Sequence, residues 1–280
     1  MTERNENPLE YWEARLAAHS GPESVGCLPY GRRYNAWLYR VRRRRFRALV
    51  RSLRLSTPEL AVLDVGSGTG FYVEQWLRLG ARDITGADFS PTAVARLRTR
   101  FPAHRFDCLD LGDAHAPLPT ARYDVISAMD VLFHILDDAR YRTALANLHR
   151  ALRPGGVLLY SDNFVHRPVP AGTRQVSRSL AAIAAALDDT GFRLVRRVPM
   201  FVLMNYPVDT ERRWPVRLWR HLIEPAKRSE LWGFAVGALL FPVELALTAI
   251  LPEGPTTEIA VCLKPGAPAS RPSAPGREPR

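Results

Sequence analysis

The segment AVLDVGSGTGFY, residues 61–72, narrows the choice of fold more than any other. An apolar run, Ala61–Val65, meets glycines at alternate positions, Gly66, Gly68 and Gly70, and a helix-like pattern follows at once. Glycine tolerates positive φ and lets backbone approach a ligand with no Cβ in the way. The spacing is GxGxG, neither the GxGxxG of dinucleotide binders nor the GxxxxGK[ST] of a P-loop. In an open α/β sheet, the carboxyl end of the first strand is where nucleotide-like ligands bind.

The pattern around this loop supports such a sheet. Strand-like runs at Ala61–Val65, Asp83–Ala87, Phe106–Leu109, Tyr123–Met129 and Val157–Ser161 alternate with helical runs at Tyr72–Leu79, Pro91–Arg100 and Arg140–Leu152. A helix over Ser177–Asp189 and strands over Phe192–Val202 and Thr257–Lys264 follow. Repeated βα units predict an α/β fold, a Rossmann-like seven-stranded, mostly parallel sheet with helices on both faces. Ahead of it, residues 1–58 read as a basic helical cap, with helices over Pro8–His19 and Arg33–Leu53. The sheet domain takes residues 59–264, with a helical insertion at about 207–254, and the Pro/Ala/Ser-rich residues 265–280 read as a disordered tail.

Charge needs locating before it is interpreted. The chain carries 39 Lys+Arg against 28 Asp+Glu, net +11. Residues 59–163 are net −2, whereas residues 1–58 are net +7 and residues 164–280 net +6. The excess therefore belongs to the flanks of the sheet. The arginine-rich second helix reads as a solvated face, as a basic wall steering an anionic acceptor, or as a nucleic-acid surface. No RNA-binding module is visible in the sequence, which argues against the last. Three separated cysteines, Cys27, Cys108 and Cys262, argue against a disulfide scaffold, and the charged amino terminus has no apolar leader run, so a cytoplasmic setting is expected. The apolar stretch Leu231–Pro252 is long enough to span a bilayer, but Pro242 and Glu244 interrupt it. It reads chiefly as a helix pair broken at Pro242, with a spanning helix or contact with a membrane surface as alternatives.

Two acidic positions and an aromatic one complete the nucleotide-like reading. Asp88 ends the second strand, where a carboxylate can accept from both ribose hydroxyls, or serve the helix N-cap at Ser90. Phe89 can lie against an adenine face. Asp110, at the end of the third strand, can accept from an exocyclic amine or stand as a surface carboxylate. With DVGSGTG, MDVLFH and the LRPGG turn of Leu152–Gly156, these residues resemble the class I S-adenosylmethionine-dependent methyltransferases over about residues 59–164. The resemblance implies S-adenosyl-L-methionine as cofactor and S-adenosyl-L-homocysteine as product. It assigns Asp64, Gly66, Ser67, Gly68 and Gly70 to the methionine end, Asp88 to the ribose, Phe89, Asp110 and Leu111 to the adenine, and Met129 to the same pocket.

The reaction implied is in-line SN2 transfer to an O or N atom of a small-molecule acceptor, a specialised metabolite, with an anionic or amphipathic character suggested by the flanks. His134, just past the fourth strand, is the candidate base, or a histidine that packs the next helix; Asp130 is the other catalytic candidate. Tyr11, Trp12, Tyr34, Asn35 and Trp37 are candidate acceptor-pocket residues, or packing residues. Asp162 and Asn163 resemble the metal pair of catechol-type O-methyltransferases, but Asp130 falls about two residues too early for that alignment, so no metal is expected. Two other readings stay open: a membrane-surface methyltransferase acting on a quinone or lipid-linked substrate, and a non-catalytic relative that binds the donor.

Overall fold

The computed structural model describes residues 7–19 and 21–266. Residues 1–6 and 267–280, and with them nearly all of the proposed tail, lie outside the described residues.

Among the described residues, seven strands form one sheet: β1 (Ala61–Val65), β2 (Asp83–Asp88), β3 (Arg105–Cys108), β4 (Tyr123–Ala128), β5 (Leu152–Asp162), β6 (Arg193–Pro199) and β7 (Glu258–Leu263). Their order is β3-β2-β1-β4-β5-β7-β6, with β1 to β5 parallel and β7 antiparallel to both neighbours. The chain runs outward one way from β1 to β3 and then the other way from β4. The carboxyl ends of β1, β2 and β4 thus meet at a topological switch point, where a crevice opens.

Among the described residues, eight α-helices surround the sheet: α1 (Pro8–Ala18), α2 (Gly31–Ser52), α3 (Phe71–Arg78), α4 (Pro91–Arg100), α5 (Asp138–Ala151), α6 (Leu180–Asp189), α7 (Arg213–Ile223) and α8 (Glu230–Ile250). Local chemistry starts several of them. Asn7, Ser90, Asp137 and Ser179 each accept a first-turn N–H with their side chains, and Pro8 and Pro91 stand where a missing N–H has no consequence. Leu63, Ile126, Leu145, Leu148 and Leu158 fill one core layer, and Val62, Trp76, Phe46, Leu49 and Leu159 the other.

Two expectations are corrected. The LRPGG segment is no separate turn: Leu152 pairs with Tyr123 and Val157 with Val125, so the residues between bulge out of β5, and Gly155 N–H donates to the Lys264 carbonyl at 2.9 Å. Leu231–Pro252 is not a helix pair, because α8 runs unbroken through Pro242. A mid-helix proline costs roughly 3 kcal/mol. Contacts on both sides of it hold the helix together. Gly233 and Gly237 press against Tyr34 and Trp37 of α2, and Glu244 accepts from the N–H groups of Val202, Leu203 and Met204 at 2.6, 2.8 and 2.9 Å.

Candidate active site

The switch-point crevice is a cavity of about 640 Å³. The loop after β1 forms its floor. Gly66, Gly68 and Gly70 have φ of 66°, 51° and 81°. A Cβ on Gly66 would lie 2.2 Å from Val131 Cγ2, and one on Gly70 2.5 Å from the Phe101 ring. Side chains are excluded there by contact as well as by φ. Ser67 ties the loop down: its N–H donates to the Ala87 carbonyl and its hydroxyl to the Asp64 carbonyl.

Asp88 is buried at the cavity wall. Its Oδ2 accepts from Gly68 N–H at 2.8 Å and its Oδ1 from Ser90 N–H at 2.9 Å. Burial raises its pKa, and these N–H donors offset only part of the rise. Each oxygen retains a second lone pair. Asp110 is more exposed; its Oδ1 accepts from Gly112 N–H at 2.8 Å, and its Oδ2 pairs with Arg140. Phe89, Leu109, Leu111, Met129 and Ile135 supply apolar wall between and beyond the two carboxylates.

Asp64 is placed differently from expectation. It is buried beneath the loop and does not line the cavity. Ser127 Oγ donates to its Oδ1 at 2.5 Å, and Trp76 Nε1 donates to that Oγ at 2.9 Å. Burial pushes its pKa up to about 7 against these hydrogen bonds. Asp64 therefore supports the loop from below.

At the opposite end, Asp130 follows β4 with φ of 60°. Its N–H donates to Ser161 Oγ, whose O–H in turn reaches Asp130 Oδ1 at 2.9 Å, and Arg42 of α2 pairs with Oδ2 at 2.7 Å. His134 lines the cavity, with its ring edge-on to Trp12 at 5.1 Å. Its Nδ1 lies 2.7 Å from the Arg174 carbonyl. A carbonyl only accepts, so Nδ1 carries the hydrogen and the neutral ring keeps its lone pair on Nε2. Burial lowers the His134 pKa, and the Arg174 carbonyl opposes that only in part.

Helix α1 roofs the cavity with Pro8, Leu9, Trp12 and Leu16. It is latched by Glu13, which accepts from Ser90 Oγ and, at 2.6 Å, from Thr92 Oγ1, while Arg96 donates to the His19 carbonyl at 3.0 Å. Tyr39, Phe71 and Tyr72 close the side; the buried Tyr72 hydroxyl has no partner among the described residues. Glu13, Tyr39, Arg42 and Tyr72 carry no signal in the sequence that would have singled them out.

The aromatic acceptor-pocket candidates divide. Trp12 lines the cavity; Tyr11 packs beside it, ring to ring at 5.3 Å, and Arg15 Nη1 donates to its hydroxyl. Tyr34 and Trp37 are corrected to packing residues, because their face of α2 meets α8. Tyr34 Oη donates to the Met204 carbonyl at 2.8 Å, and the Trp37 ring lies against Phe234 and Phe241. Asn35 closes the turn before α2 through Cys27 and Gly31. Asp162 is buried and accepts from Asn163 N–H, and neither residue lines the cavity.

Residues 62–156 match a family model described as a methyltransferase domain, and the match covers β1 to the first part of β5. Over this span the chain is similar to S-adenosylmethionine-dependent methyltransferases, in sequence and in fold. It is 31% identical over 152 residues to a ubiquinone biosynthesis O-methyltransferase of Pectobacterium atrosepticum, covering 47% of this chain and 61% of that protein. It is 37% identical over 107 residues to a malonyl-[acyl-carrier protein] O-methyltransferase of Serratia marcescens, covering 38% of this chain and 39% of that one. The chain thus spans less than two thirds of the length of each of these curated relatives. In fold it is similar to a SAM-dependent methyltransferase from Leishmania major, with TM-score 0.61, 16% identity, and 92% and 81% of the two chains covered.

The methyltransferase cofactor is S-adenosylmethionine, and the cavity fits it. The cavity's polar groups include two hydrogen-bond-accepting carboxylates spaced by apolar wall, the loop has no room for Cβ atoms, and the Tyr72 hydroxyl is unspent.

Proposed function

We propose that the chain transfers the methyl group of S-adenosylmethionine to a nucleophilic oxygen or nitrogen of a small-molecule acceptor. The observation that carries this reading is that one cavity joins the glycine loop and Asp88 to a histidine whose Nε2 is free to accept a proton. Bound there, the cofactor supplies a methyl group on a positively charged sulfur, a leaving group that needs no acid.

The residues of this chain then have separate tasks. Asp88 accepts from the ribose hydroxyls through its remaining lone pairs, and Asp110 and Phe89 hold the adenine edge and face. Gly66, Ser67 and Gly68 present backbone to the methionine end, with Met129 beside it. The Asp130–Arg42 pair sets the shape of the opposite wall, and Asp130 is a positioning residue because its charge is already spent on Arg42. His134 takes the acceptor proton at Nε2, and its lowered pKa keeps the ring neutral near pH 7. The roof of α1 excludes water and aligns acceptor with methyl group, which is most of what an SN2 transfer from an activated donor requires.

The test has two arms. Calorimetry with S-adenosylhomocysteine should show Asp88→Ala weakening binding by roughly 10- to 100-fold, the scale of hydrogen bonds to a charged group. Incubation of the wild type with methyl-labelled donor and fractionated metabolite extracts should label a small molecule. Undiminished affinity in D88A overturns the site assignment; donor binding with no labelled acceptor overturns the transferase reading.

A further inference from the structure

Helix α8 has its amphipathicity turned inside out. It is the one helix among the described residues long and apolar enough, by length and composition, to cross a membrane. Between Leu231 and Pro252 the sole charged residue is Glu244, and it points inward, buried and bonded to three backbone N–H groups. Gly233, Gly237, Leu240 and Thr248 share that inward face, spaced three or four apart. The opposite face is open and wholly apolar: Leu231 is 68% exposed, Trp232 51%, Leu239 73% and Ile250 77%, with Val243 between them. A soluble helix ordinarily places charge there. A contiguous apolar face of this length marks a surface that something covers.

The surroundings identify what covers it. Helix α7, joined to α8 by a short 3-10 turn, exposes Trp214 and Leu218 one turn apart, with Arg213, Arg217 and Arg220 also exposed. On the other side, α2 sets the Arg44 guanidinium 4.9 Å from the Phe241 ring centroid and Arg40 4.0 Å from that of Trp37. The carboxylates nearby are already engaged: Glu211 pairs with Arg167 and Glu253 with Arg197, and the other two are likewise held. Glu224 pairs with Lys227 at 2.8 Å, and Glu230 accepts from the N–H groups of Arg32 and Arg33. The rim is therefore cationic around an apolar centre with tryptophan at its edge, which complements an anionic bilayer surface. A second copy of the chain would bring the same arginines against themselves.

We infer that α7 and α8 form a docking face for the surface of an anionic membrane, with α8 lying in the interface plane. Helix α8 does not cross. Its inner face is committed to α2 and to the loop after β6, and β7 returns the chain to the sheet directly after it. The apolar side chains enter the headgroup and acyl boundary while the arginines meet lipid phosphates. This inference is independent of the reaction proposed above.

The test is flotation with vesicles of phosphatidylcholine, alone or with phosphatidylglycerol, at physiological salt. The wild type should float with the anionic vesicles and bind them at least about tenfold more tightly than the neutral ones. Two variants separate the contributions: W232Q/L239Q removes apolar insertion and R213Q/R217Q/R220Q removes charge. Each should lower binding to anionic vesicles by about tenfold or more with thermal midpoints unchanged, since every altered side chain is exposed. No flotation with anionic vesicles overturns the inference, as does equal binding to both vesicle types. So does a wild-type dimer that W232Q/L239Q converts to monomer without any vesicle binding, which would make the face a self-association surface.

Discussion

Arg42 of α2 reaches Asp130 at the end of β4, with Nη2 at 2.7 Å and Nε at 3.0 Å from one carboxylate oxygen. Burial works against the guanidinium charge, but Asp130 outweighs it and holds the Arg42 pKa above its ordinary value. Through this pair the N-terminal cap is fastened to the rim of the cavity. Asp130 in turn keeps its left-handed backbone because Ser161 bonds both its N–H and its side chain.

Removing one partner leaves the other charge largely buried. Arg42→Ala should destabilise the fold by about 2–4 kcal/mol in urea unfolding, near the range for broken buried pairs. Asp130→Ala should cost a similar amount, and the double variant less than the sum of the two. Strict additivity in that cycle would show that the pair contributes nothing to the join between cap and sheet.

His134 gives a pH signature for transfer. Its folded pKa lies below the ordinary 6.5, with burial as the main cause, so the neutral, proton-accepting form persists into mildly acidic solution. The rate should fall with decreasing pH along a limb whose midpoint lies below 6.5. His134→Gln should lower kcat by about 10²-fold or more and remove that limb. A variant with an unaltered pH–rate profile would reduce His134 to a packing residue.

Asp64 and Asp162 set an opposite trend in stability. Burial pushes each up to about 7 in the folded protein, against an ordinary 3.8. Between these values the folded chain holds protons that the unfolded chain has released, so stability from these groups falls as pH rises from about 4 to 7. Below that window the penalty vanishes. Asp64→Asn and Asp162→Asn should each flatten the decline, read as the difference in urea midpoint between pH 4.5 and 7.5 relative to wild type. A slope identical to wild type in both variants would mean that neither carboxyl is held protonated.

Gly237 fixes the approach of α8 to α2. A Cβ there would lie 2.1 Å from Trp37 Cδ1, so Gly237→Ala must push the helices apart. Overpacking of this kind costs about 1–3 kcal/mol. Because α2 also carries Tyr39 and Arg42, donor affinity should drop with stability, measured by calorimetry alongside thermal melts. Full stability in G237A would show that Trp37 can turn aside freely.

The glycine-loop end of the cavity was legible because its signals are local. A strand end, alternate glycines and an acidic residue closing the next strand each determine their own backbone, and the parallel sheet brings them to one edge. The opposite end was not. The period of α2 shows that Tyr34, Trp37 and Leu38 face something apolar, but a period does not say whether that partner is the cavity or α8. Nor does a row of arginines reveal that Arg42 alone meets Asp130.

By itself, then, the sequence determined the alternating sheet, the GxGxG floor and the carboxylates at Asp88 and Asp110, since these follow from backbone preference and strand order. Tertiary structure decided the rest: that Asp64 turns beneath the loop, that α1 roofs the cavity through Glu13, and that α8 stays whole across Pro242. The physical reason is common to all three. Each depends on contacts between segments distant in the chain, whose packing and hydrogen bonds outweigh the local preference.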